Sequence, residues 1–289
     1  QILAGLARDK ATAQLVNVLP SDRPQDAYKV VAQHARAGCP DNIRKVMDRK
    51  VVKRTVMTIP YNAKPYSNRE YIREALQEKG IEINQEDLTQ TVQAVRDAMQ
   101  VVVPGPMAVM RWIESEISKA INRGQHGWVA YPTKKDPNRK LWKPIDEEFE
   151  WTTPSGFIVN QKIMKKNVQR LTLQLLGECK LTVATGDSNE VDKNRHKAAT
   201  APNLIHSLDA SLLHLAVDRF DKPIALIHDS VLCRATDMSL LSALVRETYM
   251  KLFAKHDYLT DFAKQIGAET DPPIIGNLEP ETVIDSTYF

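Results

Sequence analysis

Ile224-Ala225-Leu226-Ile227-His228-Asp229-Ser230-Val231-Leu232-Cys233 is the stretch on which the fold of this chain turns. Apolar, strand-favouring residues run into the polar tip His228, Asp229 and Ser230 and then resume. Short apolar runs on either side of such a tip read as buried strands. A carboxylate flanked by buried strand is costly unless it has a partner. Asp229 is then either a solvated residue in a tight hairpin turn or a metal-binding carboxylate held at a rigid strand end.

The chain has 289 residues, enough for one large domain or two ordinary ones. Hydrophobic residues make up 43% and charged residues 26%, an ordinary globular balance. The apolar runs are too short for a membrane-spanning helix. Cys39, Cys179 and Cys233 are far apart and lack metal-ligand spacing, which suggests a reducing compartment and no disulfide framework. The net charge of +3 says little about partners. Basic residues do cluster locally, at Arg44-Lys45, Arg49-Lys50, Lys53-Arg54 and from Lys162 to Arg170. Such clusters suit phosphate contacts, and equally an ordinary solvated face. The chain opens on Gln1 with no visible signal segment, so the expectation is a processed start or a piece of a longer protein.

Outward from the hairpin, the first half of the chain reads as helical. Helices are expected over residues 1–19, from Pro24 to Ala37, from Ile43 to about Ile59, from Pro65 to Gly80, from Asn84 to Pro104 and from Met107 to Arg123. Gly124 and the prolines supply the stops. Short strands are expected at 128–131, 149–152 and 157–159, with Pro154-Ser155-Gly156 a turn. The basic stretch from Asn160 to Thr182 suits a long β-ribbon, and 186–195 a loop. Helices from Pro202 to Phe220 and from Ser239 to Phe253 flank the Asp229 hairpin.

Arg49-x-x-x-Lys53-x-x-x-Met57-x-x-x-Tyr61 is the second informative stretch. Steps of four along an α-helix drift by only about 40°, so two cations, a thioether and a phenol form one slowly winding stripe. An exposed face normally mixes acids in at this spacing, and none occurs between Asp48 and Glu70. Like charges at i, i+4 repel unless something anionic lies across them. A triphosphate would serve, although a plain basic surface helix fits the same pattern. The third stretch, Pro202 to Ala210, places His206 and Asp209 at i, i+3 on a helix. A lone histidine there is more often a core or capping group. The histidines around it show no zinc spacing.

Taken in order, these stretches resemble the single-subunit DNA-directed RNA polymerases of bacteriophages and mitochondria. The matching motifs are R-x-x-x-K-x-x-x-M-T-x-x-Y (Arg49, Lys53, Met57, Thr58, Tyr61), A-P-N-x-x-H-S-x-D (Ala201 to Asp209) and H-D-S (His228 to Ser230). Asn17-x-Leu19-Pro20-Ser21, Trp151-x-Thr153-Pro154-x-Gly156-Phe157 and the terminal Tyr288-Phe289 are also similar to the family. The resemblance implies an α+β, mostly helical palm-and-fingers fold with a small antiparallel palm sheet and a long β-ribbon. Palm would occupy residues 1–25 and 206–289, the latter with the hairpin and a C-terminal foot. Fingers would occupy 26–205, including a nucleotide-binding helix 43–61 and a specificity-hairpin-like ribbon 160–183.

The resemblance further implies roles. Asp229 would be one of two palm aspartates holding a pair of Mg²⁺ ions, flanked by His228 and Ser230. Arg49 and Lys53 would grip the triphosphate, with Lys53 as proton donor to pyrophosphate. Met57 would pack near the nascent base pair, and Tyr61 would sense the ribose 2′-hydroxyl. His206 would contact the minor groove or the nucleotide. Arg170, Thr172, Lys180 and Thr182 would read promoter DNA, since Arg and Lys bond guanine edges. Implied partners are double-stranded DNA template and promoter, nascent RNA and ribonucleoside triphosphates, with no membrane and a monomeric complete enzyme. The compartment would be the host cytoplasm for a phage protein, or a mitochondrial or plastid matrix.

The chain departs from the family at Asn62, where Gly is usual, and at Pro60, which should kink the helix end. Leu208 stands where phage members often carry a polar residue. The family's first palm aspartate precedes a Gln that matches Gln1, so a C-terminal fragment of a longer polymerase is expected. Rival functions are a related family-A-like DNA polymerase, a non-catalytic DNA-binding remnant and a metal-dependent phosphohydrolase. The first usually carries N-F-G and H-D-E where this chain has Met57-Thr58 and His228-Asp229-Ser230.

Overall fold

The computed structural model describes residues 1–174, 179–228, 230–255, 257–273 and 276–289, with Lys255 in its backbone only. The first part is all helix: α1 Ile2–Leu6, α2 Lys10–Leu15, α3 Ala27–Ala35, α4 Asp41–Arg44, α5 Arg49–Thr58, α6 Pro65–Gln77, α7 Gln85–Val102 and α8 Pro104–Arg123. Four antiparallel pairs follow or interleave: β1 His126–Ala130 with β2 Lys140–Pro144, β3 Phe149–Thr152 with β4 Ile158–Gln161, β5 Met164–Leu173 with β6 Cys179–Val191, and β7 Ile224–Ile227 with β8 Ser230–Cys233. Helix α9 spans Lys193–Val217, and α10 Met238–Lys255 and α11 Tyr258–Gln265 end the helical part. A mostly helical α+β architecture is therefore what the chain adopts, as its pattern leads one to expect.

Capping carboxylates decide where several helices break. The expected helix over 1–19 is two short ones, because Asp9 starts a new helix inside it. Its buried carboxylate accepts from the Thr12 amide at 3.1 Å, the Thr12 hydroxyl at 2.6 Å and the Gly105 amide at 3.1 Å, tying α2 to the start of α8. Asp26, not the turn at Pro24, caps α3 by accepting from Lys29 N–H at 3.1 Å. Asp48 accepts from Lys50 and Val51 N–H at 3.0 and 3.2 Å and so separates α4 from α5. Asn84 caps α7 through Asp87 N–H at 2.8 Å, as its sequence suggests.

The larger hydrophobic cluster gathers around α8. Val109, Ile113, Ile117 and Ile121 form a buried i, i+4 stripe on it. The cluster takes in Leu88, Val92, Val95 and Met99 of α7, Leu204, Ile205, Leu208 and Leu212 of α9, and Leu252 and Phe253 of α10. Helix α9 is the largest departure from expectation. It begins at Lys193, not Pro202, and runs through what reads as loop. Asp192 caps it by accepting from Arg195 N–H at 3.0 Å, and Pro202 lies inside it. An interior proline forfeits a backbone hydrogen bond, and packing of its neighbours against α8 outweighs that loss. Strand β2 and helix α11 lie outside the expected elements, although Asp257 caps α11 by accepting from Thr260 N–H at 3.1 Å and Leu259, Phe262 and Ala263 follow at helical spacing.

The hairpin Ile224–Cys233 pairs as its sequence implies, from Ile224 opposite Cys233 to Ile227 opposite Ser230. It is not buried as expected. Ile224, Val231 and Cys233 rest on a second, small cluster of Phe220, Leu241 and Leu244. The other face is open, with Ile227 59% and Leu232 58% exposed. A two-stranded layer has two faces, and this chain's described residues cover only one.

A buried carboxylate closes the fold at the far end of the chain. Glu116 of α8 accepts from Lys119 Nζ at 2.6 Å, the Glu269 amide at 2.7 Å and the Thr270 hydroxyl at 2.8 Å. Burial alone would raise its pKa, but the Lys119, Thr270 and Glu269 hydrogen bonds outweigh it and hold the value at about 2, below the ordinary 4.5. A carboxylate with a depressed folded pKa stabilises fully above about 4.5, and that contribution is lost as pH falls towards 2. Glu116→Gln is expected to lower stability at neutral pH by roughly 2 kcal/mol in urea unfolding, and to flatten the acid limb of the stability profile in that window.

Candidate functional site

Helix α5 presents Arg49, Lys53 and Met57 on one exposed stripe, while Val51, Val52, Thr55 and Val56 turn into the core. Arg49 is not idle. Its Nε donates to Asp26 Oδ2 at 2.8 Å, and its guanidinium lies 5.3 Å from the Tyr28 ring centre. Lys53 is exposed one turn later, with no ion pair among the described residues.

Tyr61 is not on this helix, contrary to the expected helix 43–61. The ladder ends at Thr58, just before Pro60, which has no N–H to continue it. The chain then turns: Tyr61 N–H donates to Thr58 O at 3.1 Å, Asn62 N–H to Ile59 O at 2.8 Å and Ala63 N–H to Thr58 O at 3.0 Å. Asn62 sits in the left-handed region, with φ of 61°. Its amide nitrogen donates to Glu114 of α8, and its oxygen accepts from Lys64 Nζ at 2.6 Å. Arg96 of α7 donates to Ala63 O at 3.0 Å and Asn68 Oδ1 at 2.7 Å. Two long core helices thus hold the turn that carries Tyr61.

Helix α9 supplies the opposite wall. The His206 ring meets the Tyr61 ring edge-on, with centres 4.9 Å apart and planes at 65°. Beside them lies an open cleft of about 400 Å³, lined by Tyr61, Ile163, Arg195, Ala198, Pro202 and Asn203. Below the cleft, His196 is fully buried. Its Nε2 accepts from Ile163 N–H at 2.9 Å, and burial, partly opposed by Asp192 and that hydrogen bond, lowers its pKa, so the ring is neutral near pH 7. Gln161 Oε1 accepts from Asn203 Nδ2 at 2.7 Å. His196 is thus a core residue, whereas His206 is exposed. Arg195 is a cleft cation that sequence reasoning missed, because 186–195 reads as loop; the signal was Asp192, three residues earlier.

Ribbon β5–β6 differs from the expected 160–183. It spans 164–191, because Ile158–Gln161 pairs with β3 instead. Within it Arg170 lies opposite Thr182 and Thr172 opposite Lys180. All four are exposed and share one face, since alternate residues point the same way. Leu171, Leu173, Leu181 and Val183 form the other face. Asp229, the expected metal carboxylate, lies outside the described residues. His228, with φ of 55°, and Ser230 flank that tip.

The sequence pattern of the DNA-dependent RNA polymerase family matches residues 1–284 of the chain. The chain belongs to this family. It is 29% identical to the DNA-directed RNA polymerase of Enterobacteria phage K11, over the whole of this chain and 37% of that protein. It is 30% identical to the chloroplastic DNA-directed RNA polymerase 3 of Nicotiana sylvestris and 29% identical to the mitochondrial DNA-directed RNA polymerase 1 of Arabidopsis thaliana, each over the whole of this chain and 30% of the relative. The chain thus spans about a third of the length of these polymerases.

Asn62 takes its left-handed backbone without strain. Asn is among the few side chains that tolerate a left-handed backbone. Asn62→Gly is expected to cost less than about 1 kcal/mol in urea unfolding, whereas Asn62→Val should cost about 2 kcal/mol, because a β-branched residue is disfavoured at that φ.

Proposed function

We propose that this chain carries the incoming-nucleotide site and a DNA-reading ribbon of a DNA-directed RNA polymerase. The observation that supports this most is the Tyr61–His206 contact. Residues from two separate family motifs meet at one cleft, on the turn that follows the Arg49–Lys53–Met57 stripe. A basic surface helix with no further role gives no reason for that meeting.

In this proposal Arg49 and Lys53 neutralise the triphosphate. Phosphoryl transfer asks the protein mainly for positioning and charge stabilisation, and two cations on one helix face supply both. The Arg49–Asp26 pair is partly exposed, so it is worth about 0–1 kcal/mol and yields to a phosphate. Lys53 protonates the leaving pyrophosphate, since its ammonium has no competing ion pair among the described residues. Tyr61 hydrogen-bonds the ribose 2′-hydroxyl, Met57 packs against the nascent base pair, and His206 braces the Tyr61 ring and contacts the nucleotide or the minor groove.

Polymerases of this family use Mg²⁺ to activate the attacking hydroxyl and stabilise the leaving group. Among the described residues no three His, Cys, Asp or Glu side chains gather to hold a metal ion. In this proposal Asp229, from the H-D-S motif, is this chain's contribution to the metal pair. The palm would comprise 1–25 and 206–289 and the fingers 26–205, a division that falls within α9, so both parts share that helix. DNA template and promoter, nascent RNA and ribonucleoside triphosphates are the proposed partners of a monomeric complete enzyme. No helix among the described residues is long and apolar enough to cross a membrane. The phage, mitochondrial and chloroplastic relatives suit a host cytoplasm or an organelle matrix as the working compartment.

Affinity labelling of the purified chain with a GTP acyl phosphate, whose acyl group is transferred to a lysine beside the terminal phosphate, tests the site. Labelling should concentrate at Lys53 and fall severalfold in Arg49→Ala; labelling spread over surface lysines would refute the proposal. In the complete polymerase, Tyr61→Phe should erode discrimination between ribo- and deoxyribonucleotides by about tenfold while slowing ribonucleotide addition less. Unchanged selectivity in a competition assay removes the tyrosine's role.

The ribbon is tested separately. Arg170→Ala or Lys180→Ala should change promoter preference, each lost guanine contact amounting to about 1–3 kcal/mol, while extension of a preassembled primer–template stays near the parent rate. Equal loss in both assays would make the ribbon structural.

A further inference from the structure

The β1–β2 hairpin presents a face that the nucleotide site and the ribbon leave unused. Its register sets Trp128 opposite Trp142, His126 opposite Pro144 and Ala130 opposite Lys140. Alternate residues share a face, so these lie together on one side. The other side is anchored: Val129 is buried, and Tyr131 OH donates to Glu190 Oε2 at 2.7 Å. Glu190 is itself buried and accepts from Lys165 Nζ at 2.6 Å, with Lys143 Nζ at 3.8 Å. The hairpin is thus fixed to the foot of the β5–β6 ribbon, with its tryptophan face outward.

That outward face combines two chemistries. Trp128 and Trp142 are 67% and 57% exposed, packed edge-on with ring centres 5.4 Å apart. His126 stacks over Trp142 at 6.4 Å and 18°. The connecting segment adds Lys134, Lys135 and Arg139, and the first residue of β2 adds Lys140; all four are exposed, with no ion pair to any of them among the described residues. Asp136 is the sole acid between Trp128 and Trp142 and serves the turn, accepting from Asn138 N–H at 3.1 Å.

We propose that this hairpin binds single-stranded DNA, with bases stacking on Trp128 and Trp142 and the four cations beside them following the phosphates. Stacking requires an unpaired base, because a duplex hides its base faces; exposed aromatics beside a basic track are the general platform for single strands. The cations argue for a polyanion over a protein partner. DNA is favoured over RNA by the joint with the ribbon, so the inference rests on the polymerase function proposed above: a strand opened beside a DNA-reading ribbon passes this face.

The test uses the purified chain and an oligothymidylate of about 12 nucleotides. Trp112 and Trp151 are buried, so quenching on titration reports Trp128 and Trp142. Quenching is expected, and the Trp128→Ala/Trp142→Ala chain should bind the labelled oligonucleotide at least about tenfold more weakly by anisotropy, with an unchanged thermal melt. Lys134→Glu/Lys135→Glu should flatten the salt dependence of binding. Equal affinity of the tryptophan variant and its parent overturns the proposal, as does tighter binding to the matching duplex or to polyglutamate. Tighter binding to oligouridylate overturns the assignment to DNA. Lys53 labelling by the GTP acyl phosphate, read on the same preparations, separates the two hypotheses: labelling without strand binding removes only this one, and strand binding without labelling removes only the nucleotide site.

Discussion

Packing of α9 against α8 is the constraint on which the rest of the structure depends. The isoleucine stripe of α8 and the Leu204, Leu208 and Leu212 stripe of α9 are buried in one core, and their contact keeps α9 helical through Pro202. That continuity has consequences at both ends. The N-terminal half lines the cleft with Arg195, Ala198 and Asn203 and sets His206 against Tyr61. The C-terminal end delivers Phe220, the seat of the β7–β8 hairpin. Helix α8 also holds the Tyr61 turn through Glu114, so one helix pair positions both sides of the cleft.

Charge in this protein divides by burial. The buried carboxylates Asp9, Glu116 and Glu190 are each met by several donors and join segments distant in sequence. A buried acid left without such donors would be costly, so each network sets one arrangement of the chain around it. Exposed cations are treated differently. Lys53, Lys134, Lys135, Arg139 and Lys140 have no ion pairs among the described residues, and Arg49 is held by a partly exposed one. Side chains left uncompensated on a surface are the ones a polyanion can recruit at little cost.

Among the described residues the β structure is distributed as four separate two-stranded ladders. An isolated pair of strands is marginal by itself, and each of these ladders is attached to the helical part or to another ladder. Trp151 of β3 packs edge-on against Phe262, with ring centres 5.5 Å apart. The ribbon and the β1–β2 hairpin share Glu190, and β7–β8 rests on a small cluster. The faces left over carry Arg170 and Lys180, the Trp128–Trp142 pair, and Ile227 with Leu232.

The sequence by itself determined the helical character of the first half, the stops at Gly124 and the prolines, the Asn84 cap, the hairpin pairing of 224–233 and the family to which the chain belongs. These are properties of local pattern: periodicity, capping chemistry and motif order act over a few residues and survive any tertiary context. It also placed Arg49, Lys53 and Met57 on one stripe, which needs only helix geometry. Tertiary structure decided the rest. Asp9 and Asp48 break helices that periodicity would continue, because their carboxylates find backbone N–H groups and, for Asp9, a distant glycine. Pro60 ends the helix before Tyr61, as its missing N–H implies, but the course of the turn beyond it is fixed by Glu114 and Lys64 holding the Asn62 side chain. Helix α9 begins nine residues before Pro202 because its packed face outweighs a local penalty. Burial of the 224–233 hairpin could not be read from its apolar residues, since apolarity states what a strand can cover and only the arrangement of its neighbours decides which face is covered.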